Sequence, residues 1–354
     1  MNMKTLTKRL LCLSLCLLVL IGTVSGCGKK ADSKKTDAEK TEAPKQEALT
    51  PVTLSEVAHS IFYAPQYVAI ENGYFEEEGI DLTLINSAGA DKVMTAMISG
   101  GADIGFMGSE ASIYVYAEGS SDYAVNFAQL TQRAGNFLVG READEDFKWE
   151  DLKGTKVLGG RAGGMPEMVF EYILKKNGID PKTDLTIDQS IDFGLTAAAF
   201  IEGDADYTVE FEPFATKIEL EDAGKVVASL GVDSGYVPYT AYCAKQSYYS
   251  EHPEIIQGFT NAIQKGLDYV NSHTAEEIAK IIQPQFSETE ESTIAAIVGR
   301  YLDQDTWKED LVFSEDSFNL LQDILTEAGE LKEKVPYKEL VNTEYAEKAA
   351  ETAK

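Results

Sequence analysis

Residues 52–106 read VTLSEVAHSIFYAPQYVAIENGYFEEEGIDLTLINSAGADKVMTAMISGGADIGF. The stretch alternates two periods. Val52–Val57 reads as a strand, Ala64–Asn72 as a helix stopped by Gly73, and Ile80–Ile85 as a strand in which β-branched and polar residues alternate. Asp91–Ser99 carries Val93, Met94, Met97 and Ile98 on one side, as a short helix does, and Ala102–Phe106 returns to a strand. Strands separated by helices at this spacing predict parallel α/β units.

The rhythm continues outward. Glu110–Ala117 begins the next helix. A second set follows with strands at Lys156–Gly159, Leu185–Gln189 and Tyr207–Phe211 and helices at Pro166–Lys176 and Gly194–Glu202. From Pro253 the pattern is helical, at Glu254–Ser272, Ala275–Ile282, Glu288–Gln304 and Ser314–Ala328. Two α/β lobes in series, closed by C-terminal helices, are therefore expected.

The N-terminus has another character. Lys4, Lys8 and Arg9 precede the apolar run Leu10–Val24, which ends in VSGC at residues 24–27. A positive start, a short apolar stretch and small residues before a cut site describe a secretory signal. The run is shorter than the roughly 20 residues of a membrane-spanning helix. The terminal cysteine resembles a bacterial lipoprotein box, in which cleavage precedes Cys27 and its thiol takes lipid. The expected product is tethered to the extracytoplasmic face of the cell membrane. Residues 28–49, GKKADSKKTDAEKTEAPKQEAL, mix charges and lack aromatic residues, so they read as a tether unable to bury a core.

The chain has 354 residues and a net charge of −28. Removing three cations with the signal would bring it near −31. Such acidity opposes binding to nucleic acid by phosphate neutralisation and favours solubility. Beyond the signal only Cys27 and Cys243 remain, which is no disulfide framework. His59, His252 and His273 are far apart, and HExxH, CxxC and GxSxG motifs are absent. An enzyme, a metal site or a cofactor is accordingly not expected.

Five segments in order carry a resemblance: APQYVAIENGYFEEEGIDLTL (64–84), ISGGADIGFMGSE (98–110), DLKGTKVLGG (151–160), AAAFIEGDADYTVEFEPFA (197–215) and YCAKQSYYSEHPEIIQGF (242–259). Together they resemble the solute-binding proteins of ABC importers. The most similar group includes receptors for thiamine-precursor pyrimidines, alkanesulfonates, taurine and nitrate. The resemblance implies a two-lobe, periplasmic-binding-protein-like α/β fold of type II with a ligand cleft between the lobes. It also implies a monomer that delivers a small molecule to an ABC permease and its ATPase subunits. The group contains a eukaryotic pyrimidine synthase with a cysteine-rich catalytic motif, which this sequence lacks. The expected division is 1–26 signal, 27–50 lipidated tether, 51–140 first lobe, 141–238 second lobe, and 239–354 return to the first lobe with the C-terminal helices.

In open α/β sheets ligands sit beyond the carboxyl ends of the strands. The loops there nominate His59, Tyr63, Ala88, Gly89, Ser109, Glu110, Gly164, Met165, Glu167, Phe193, Glu210 and Glu212 as ligand contacts. Each has a plainer structural reading: Phe62 and Tyr63 packing on the first helix, Ser87 or Asp91 capping the next, Pro166 and Glu167 suiting a helix start. The glycine-rich run 159–164 lacks the Lys-Ser/Thr ending of a phosphate loop. Glu210 and Glu212 fall on one face of a strand. They are expected to take the amino groups of a planar heterocycle, with Phe62, Tyr63, Phe193, Tyr207, Phe211 and Tyr236 supplying rings. Sulfonate, taurine or nitrate is the alternative ligand, and a pyrimidine-forming enzyme a remote one. Arg133 reads as a salt bridge within the first lobe or near the hinge, or as a hold on an acidic ligand. Lobe closure on ligand is the expected motion.

Overall fold

The computed structural model describes residues 48–191 and 194–352. The expected signal segment and lipidated Cys27 lie outside the described residues, as does the tether up to residue 47 and the candidate Phe193. Among the described residues ten strands form two five-stranded sheets. The strands are β1 (Thr50–Glu56), β2 (Ile80–Asn86), β3 (Ile104–Met107), β4 (Ala124–Thr131), β5 (Asn136–Gly140), β6 (Lys156–Leu158), β7 (Thr186–Asp188), β8 (Tyr207–Phe211), β9 (Lys225–Ser229) and β10 (Thr240–Lys245). The first sheet has the order β2-β1-β3-β10-β4 and the second β7-β6-β8-β5-β9.

The two orders repeat one plan. In each sheet three strands run parallel, as the alternating sequence requires. A fourth strand then enters antiparallel to its neighbours: β10 in the first sheet and β5 in the second. These are the strands that arrive when the chain passes from one sheet to the other. It passes at residues 132–135 and again at 230–239. The two passages are joined where Val237 N–H donates to the Gln132 carbonyl at 2.9 Å. Arg133 stands on this crossover, donating to the Gly231 carbonyl at 3.1 Å and stacking on Tyr236. The strand β5, which a lobe boundary at residue 140 assigns to the first lobe, pairs within the second sheet.

Strands β4, β5 and β9 and the helix Phe214–Leu220 are additions to the sequence reading. All eight residues of β4 are buried, so no alternation marks it. Its polar members bond internally: Asn126 donates to Ser112 Oγ and the Leu340 carbonyl, and Gln129 donates to the Thr131 carbonyl while its Oε1 has no partner. Most of the remaining expected elements lie within a few residues of their predicted bounds. The helix expected from Glu288 starts at Glu291, because Gln283–Phe286 forms a separate 3-10 turn.

The helix Pro253–Ser272 lies against the helix Ala64–Glu71 and buries Ile256, Phe259, Ile263, Leu267 and Val270. The contact is close because residue 266 is glycine. A Cβ there would fall 2.2 Å from the Pro65 carbonyl oxygen. Alanine would add helix propensity, but the clash is with backbone, which cannot swing aside. Gly266→Ala should therefore lower stability by about 1–3 kcal/mol. The check is urea unfolding: the midpoint should fall with the slope unchanged.

Candidate functional site

Strands β1, β3, β6 and β8 deliver their following loops to one place. A cavity of about 60 Å³ lies there, bounded from the first sheet by Val57, Ala58, Tyr63, Gly89, Ala90, Gly108 and Glu110. Arg161, Gly164, Met165, Pro166 and Phe211 close it from the loops and strand of the second sheet, and Tyr239 and Thr240 from the crossover. Its size suits a compact solute occupying about four to six water positions. A larger chamber of about 350 Å³ adjoins it through the shared residues Ala58 and Phe211, and takes in His59, Ala88, Phe214 and Phe286.

The two halves touch around the inner cavity. Tyr114 donates to the Gly163 carbonyl at 3.2 Å, Ser60 Oγ donates to the Glu212 carbonyl at 2.5 Å, and Arg161 faces Asp91 at 3.7 Å. Each joins an element between β1 and β4 to a loop of the second sheet.

Glu110 is the unusual member of this wall. It opens the helix Glu110–Ala117 and is only 2% exposed, and its Oε2 has no hydrogen-bond partner. The carboxylate lies back over the end of β3. A Cβ on residue 108 would fall 2.0 Å from Oε2, so glycine is what admits it. Burial pushes its pKa up to about 7; the backbone N–H groups of Glu110 and Met165 and the charge of Arg161 resist that rise.

The other nominated residues divide. Tyr63, Gly89, Gly164 and Met165 border the inner cavity, and His59 and Ala88 the outer chamber. The ring nitrogens of His59 are engaged within the protein, with Nδ1 2.8 Å from Glu56 Oε1 and Nε2 2.9 Å from the Gln285 carbonyl. A carbonyl and a carboxylate both accept, so these contacts favour the protonated ring. Burial would lower its pKa; the hydrogen bonds to Glu56 and Gln285 and the Glu56 charge outweigh that and raise it. Its hydrogen bonds hold the Gln283–Phe286 turn instead of reaching for a ligand.

Ser109 and Glu167 border neither space. The Ser109 carbonyl accepts from Ser112 Oγ. Glu167 accepts from Gly163 N–H and from Gln189 at 2.7 Å, bracing the glycine-rich loop, and burial and the neighbouring Glu171 raise its pKa.

The pair Glu210 and Glu212 requires correction. They do share one side, but Phe211 between them is the residue that faces the cavity, so strand alternation turns both carboxylates away. Glu210 accepts from Thr196 and Thr208, and burial pushes its pKa up to about 7. Glu212 accepts from Thr216 and pairs with Arg300 at 2.6 Å. Both are structural. Among the expected rings, Tyr63 and Phe211 reach the cavity, whereas Phe62 packs on Phe211, Tyr239 and Tyr301. Tyr207 packs on Phe147, and Tyr236 lies on Arg133. Tyr239, Thr240 and Arg161 were not nominated. Tyr239 precedes a strand instead of following one, and its place depends on the crossover. No cluster of His, Cys, Asp and Glu fit for a metal occurs among the described residues. No helix among them is long and apolar enough to cross a membrane.

Known proteins agree with this architecture. Residues 61–277 match the family model described as NMT1/THI5 like. The "Putative binding protein YtlA" of Bacillus subtilis (strain 168) is 47% identical over 300 residues, covering 85% of this chain and 90% of YtlA. The 4-amino-5-hydroxymethyl-2-methylpyrimidine phosphate synthase THI5 of Saccharomyces cerevisiae is 26% identical, covering 59% of this chain and 63% of its own. Among solved structures, the alkanesulfonate-binding protein SsuA from Xanthomonas axonopodis pv. citri has a TM-score of 0.67 at 15% identity, covering 84% of this chain and 99% of that one. The nitrate-binding protein NrtA from Synechocystis PCC 6803 has a TM-score of 0.67 at 15% identity, covering 86% and 89%. The two-lobe periplasmic-binding-protein fold is thereby established for this chain.

The raised pKa of Glu110 has a stability consequence. A group whose folded pKa lies above its unfolded value contributes most below the unfolded pKa, about 4.5, and loses that contribution as pH rises through about 7. The loss is about 3 kcal/mol at most. Glu110→Gln should therefore melt higher than the wild type at pH 8, with the gap closing toward pH 4.5. Thermal melts across that window check it.

Proposed function

Because this chain belongs to the NMT1/THI5-like family, we propose that it is the extracytoplasmic substrate-binding component of an ABC importer. It is held to the membrane by lipid on Cys27, captures a small molecule as a monomer and delivers it to the permease and ATPase subunits, with no reaction of its own. The observation that carries this reading is the small cavity where the strand ends of two sheets meet, walled by Tyr63, Phe211 and Tyr239. Two chain passages between the sheets are what a closing cleft needs. The 47% identity to a protein named as a binding protein supports the same role.

The ligand is a compact planar heterocycle bearing an amino group, of the thiamine-precursor pyrimidine kind. Rings on the cavity wall suit its faces. The amino group is met by Glu110 and not by the strand pair Glu210 and Glu212. The alternative, a sulfonate, taurine or nitrate, draws support from SsuA and NrtA, and here Arg161 is the one cationic side chain on the cavity wall. A desolvated carboxylate in the same wall opposes it. A pyrimidine-forming enzyme draws on the yeast synthase relatives. Against it, the free cysteine among the described residues, Cys243, is buried behind the first sheet, where burial pushes its thiol up to about 12.

Two measurements test the proposal on the full chain. Cys27→Ser should release the protein from membranes or leave it unprocessed; unchanged partitioning would remove the anchor. Small-angle scattering of the detergent-solubilised protein should show a smaller radius of gyration at saturating aminopyrimidine. An identical curve, with binding shown by calorimetry, would remove the closing cleft.

A further inference from the structure

The inner cavity holds one ionisable group that the fold leaves unfinished. Glu212 and Glu167 are each answered by donors inside the protein. So is Glu210, between two threonine hydroxyls. Glu110 Oε2 is not, although it is shut off from solvent, and the residue borders the cavity. A buried carboxylate oxygen left without a donor is costly, about 1–3 kcal/mol, and a glycine at 108 is what lets it stand there.

Resting on the receptor reading above, we propose that Glu110 makes this cleft selective for the charge of its ligand. The solute is a cationic nitrogen base whose charged N–H donates to the Glu110 carboxylate, and anionic solutes are excluded. The surroundings fit that role. The charged group on the same wall is Arg161, half-exposed, which lies 3.7 Å from Asp91, donates to the Ala162 carbonyl at 3.3 Å and also acts on Glu110 by its charge. The titratable groups packed nearby are Tyr63, Tyr114, Tyr239 and Cys243, and burial raises the pKa of each, so all stay neutral at physiological pH. The tyrosine and phenylalanine faces on the wall add cation–π attraction to a planar cation. An anion would meet a like charge with little solvent to screen it.

Charge selection also couples capture to protons. An incoming cation favours the ionised carboxylate, so a ligand of fixed charge should bind more weakly once Glu110 takes up a proton. A neutral ring of the same shape gains no such dependence.

The test uses the full chain in detergent and three probes: 4-amino-1-methylpyridinium, whose charge does not titrate, neutral 4-methylaniline of similar shape, and taurine. Calorimetry should find the pyridinium bound in preference to both others. Its affinity should fall about tenfold between pH 8 and pH 6, as expected for one acceptor titrating near pH 7. Glu110→Gln, nearly isosteric, should weaken it about ten- to a hundredfold and flatten the pH profile, while its melting curve shows it folded. Gly108→Ala, which keeps the charge but displaces the carboxylate, should weaken it as well. Equal affinity in wild type and Glu110→Gln, no change between pH 8 and pH 6, or failure of the wild type to bind the pyridinium overturns the proposal. Taurine bound in its place, with lobe closure, overturns it and leaves the receptor reading intact. Chemical turnover of a bound aminopyrimidine would overturn the receptor reading and leave the charge selection standing.

Discussion

The chain crosses between its two sheets twice, and the rest of the molecule follows from that constraint. Each crossing feeds an antiparallel strand into a sheet otherwise built from parallel units, which gives both sheets one strand order. It also fixes the carboxyl ends of β1, β3, β6 and β8 around one space. The crossing segments are bonded to each other and packed by Arg133 on Tyr236, so the two sheets share a narrow connection. Tyr239 and Thr240, at the end of the second crossing, then become part of the cavity wall.

Around that space the polar groups fall into two kinds. Most are satisfied inside the protein and hold loops in position. His59 ties Glu56 to the Gln285 turn, Glu167 braces the glycine-rich loop, and Glu212 ties the loop after β8 to Arg300. Glu110 stands apart, because it borders the cavity with one carboxylate oxygen unanswered and its burial raises the energy of its charged form. A carboxylate kept in that state destabilises the empty protein and is relieved when a donor arrives, a common trade between stability and function.

Much of the fold was legible in the sequence because periodicity reports burial. The strand–helix alternation from Val52 to Phe106 and again from Lys156 to Phe211 comes from short β-branched and apolar runs set between glycine-rich and polar turns. The strands β4 and β5 were not read: they are buried throughout and carry no alternation, and β4, unlike the equally buried β3, is not closely flanked by glycines. The loops of the site were legible from topology: Tyr63, Gly89, Glu110, Gly164 and Met165, nominated from loops that follow strands, border the inner cavity. Which way a side chain turns was not. Glu210 and Glu212 sit at the expected strand end, yet the identity of the inward residue depends on sheet packing, and Phe211 holds that place. Tyr239 and Arg161 reach the site through a crossover and a loop conformation that spacing alone does not encode.

The central claim is that the Glu110 carboxylate receives the ligand's positive charge. Carbon-13 NMR of the side-chain carboxyl, assigned by its loss in Glu110→Gln, measures this directly. Without ligand the resonance should titrate near pH 7. With saturating 4-amino-1-methylpyridinium the midpoint should move toward or below the ordinary glutamate value. A midpoint that stays where it was, with the cation bound, would contradict the account.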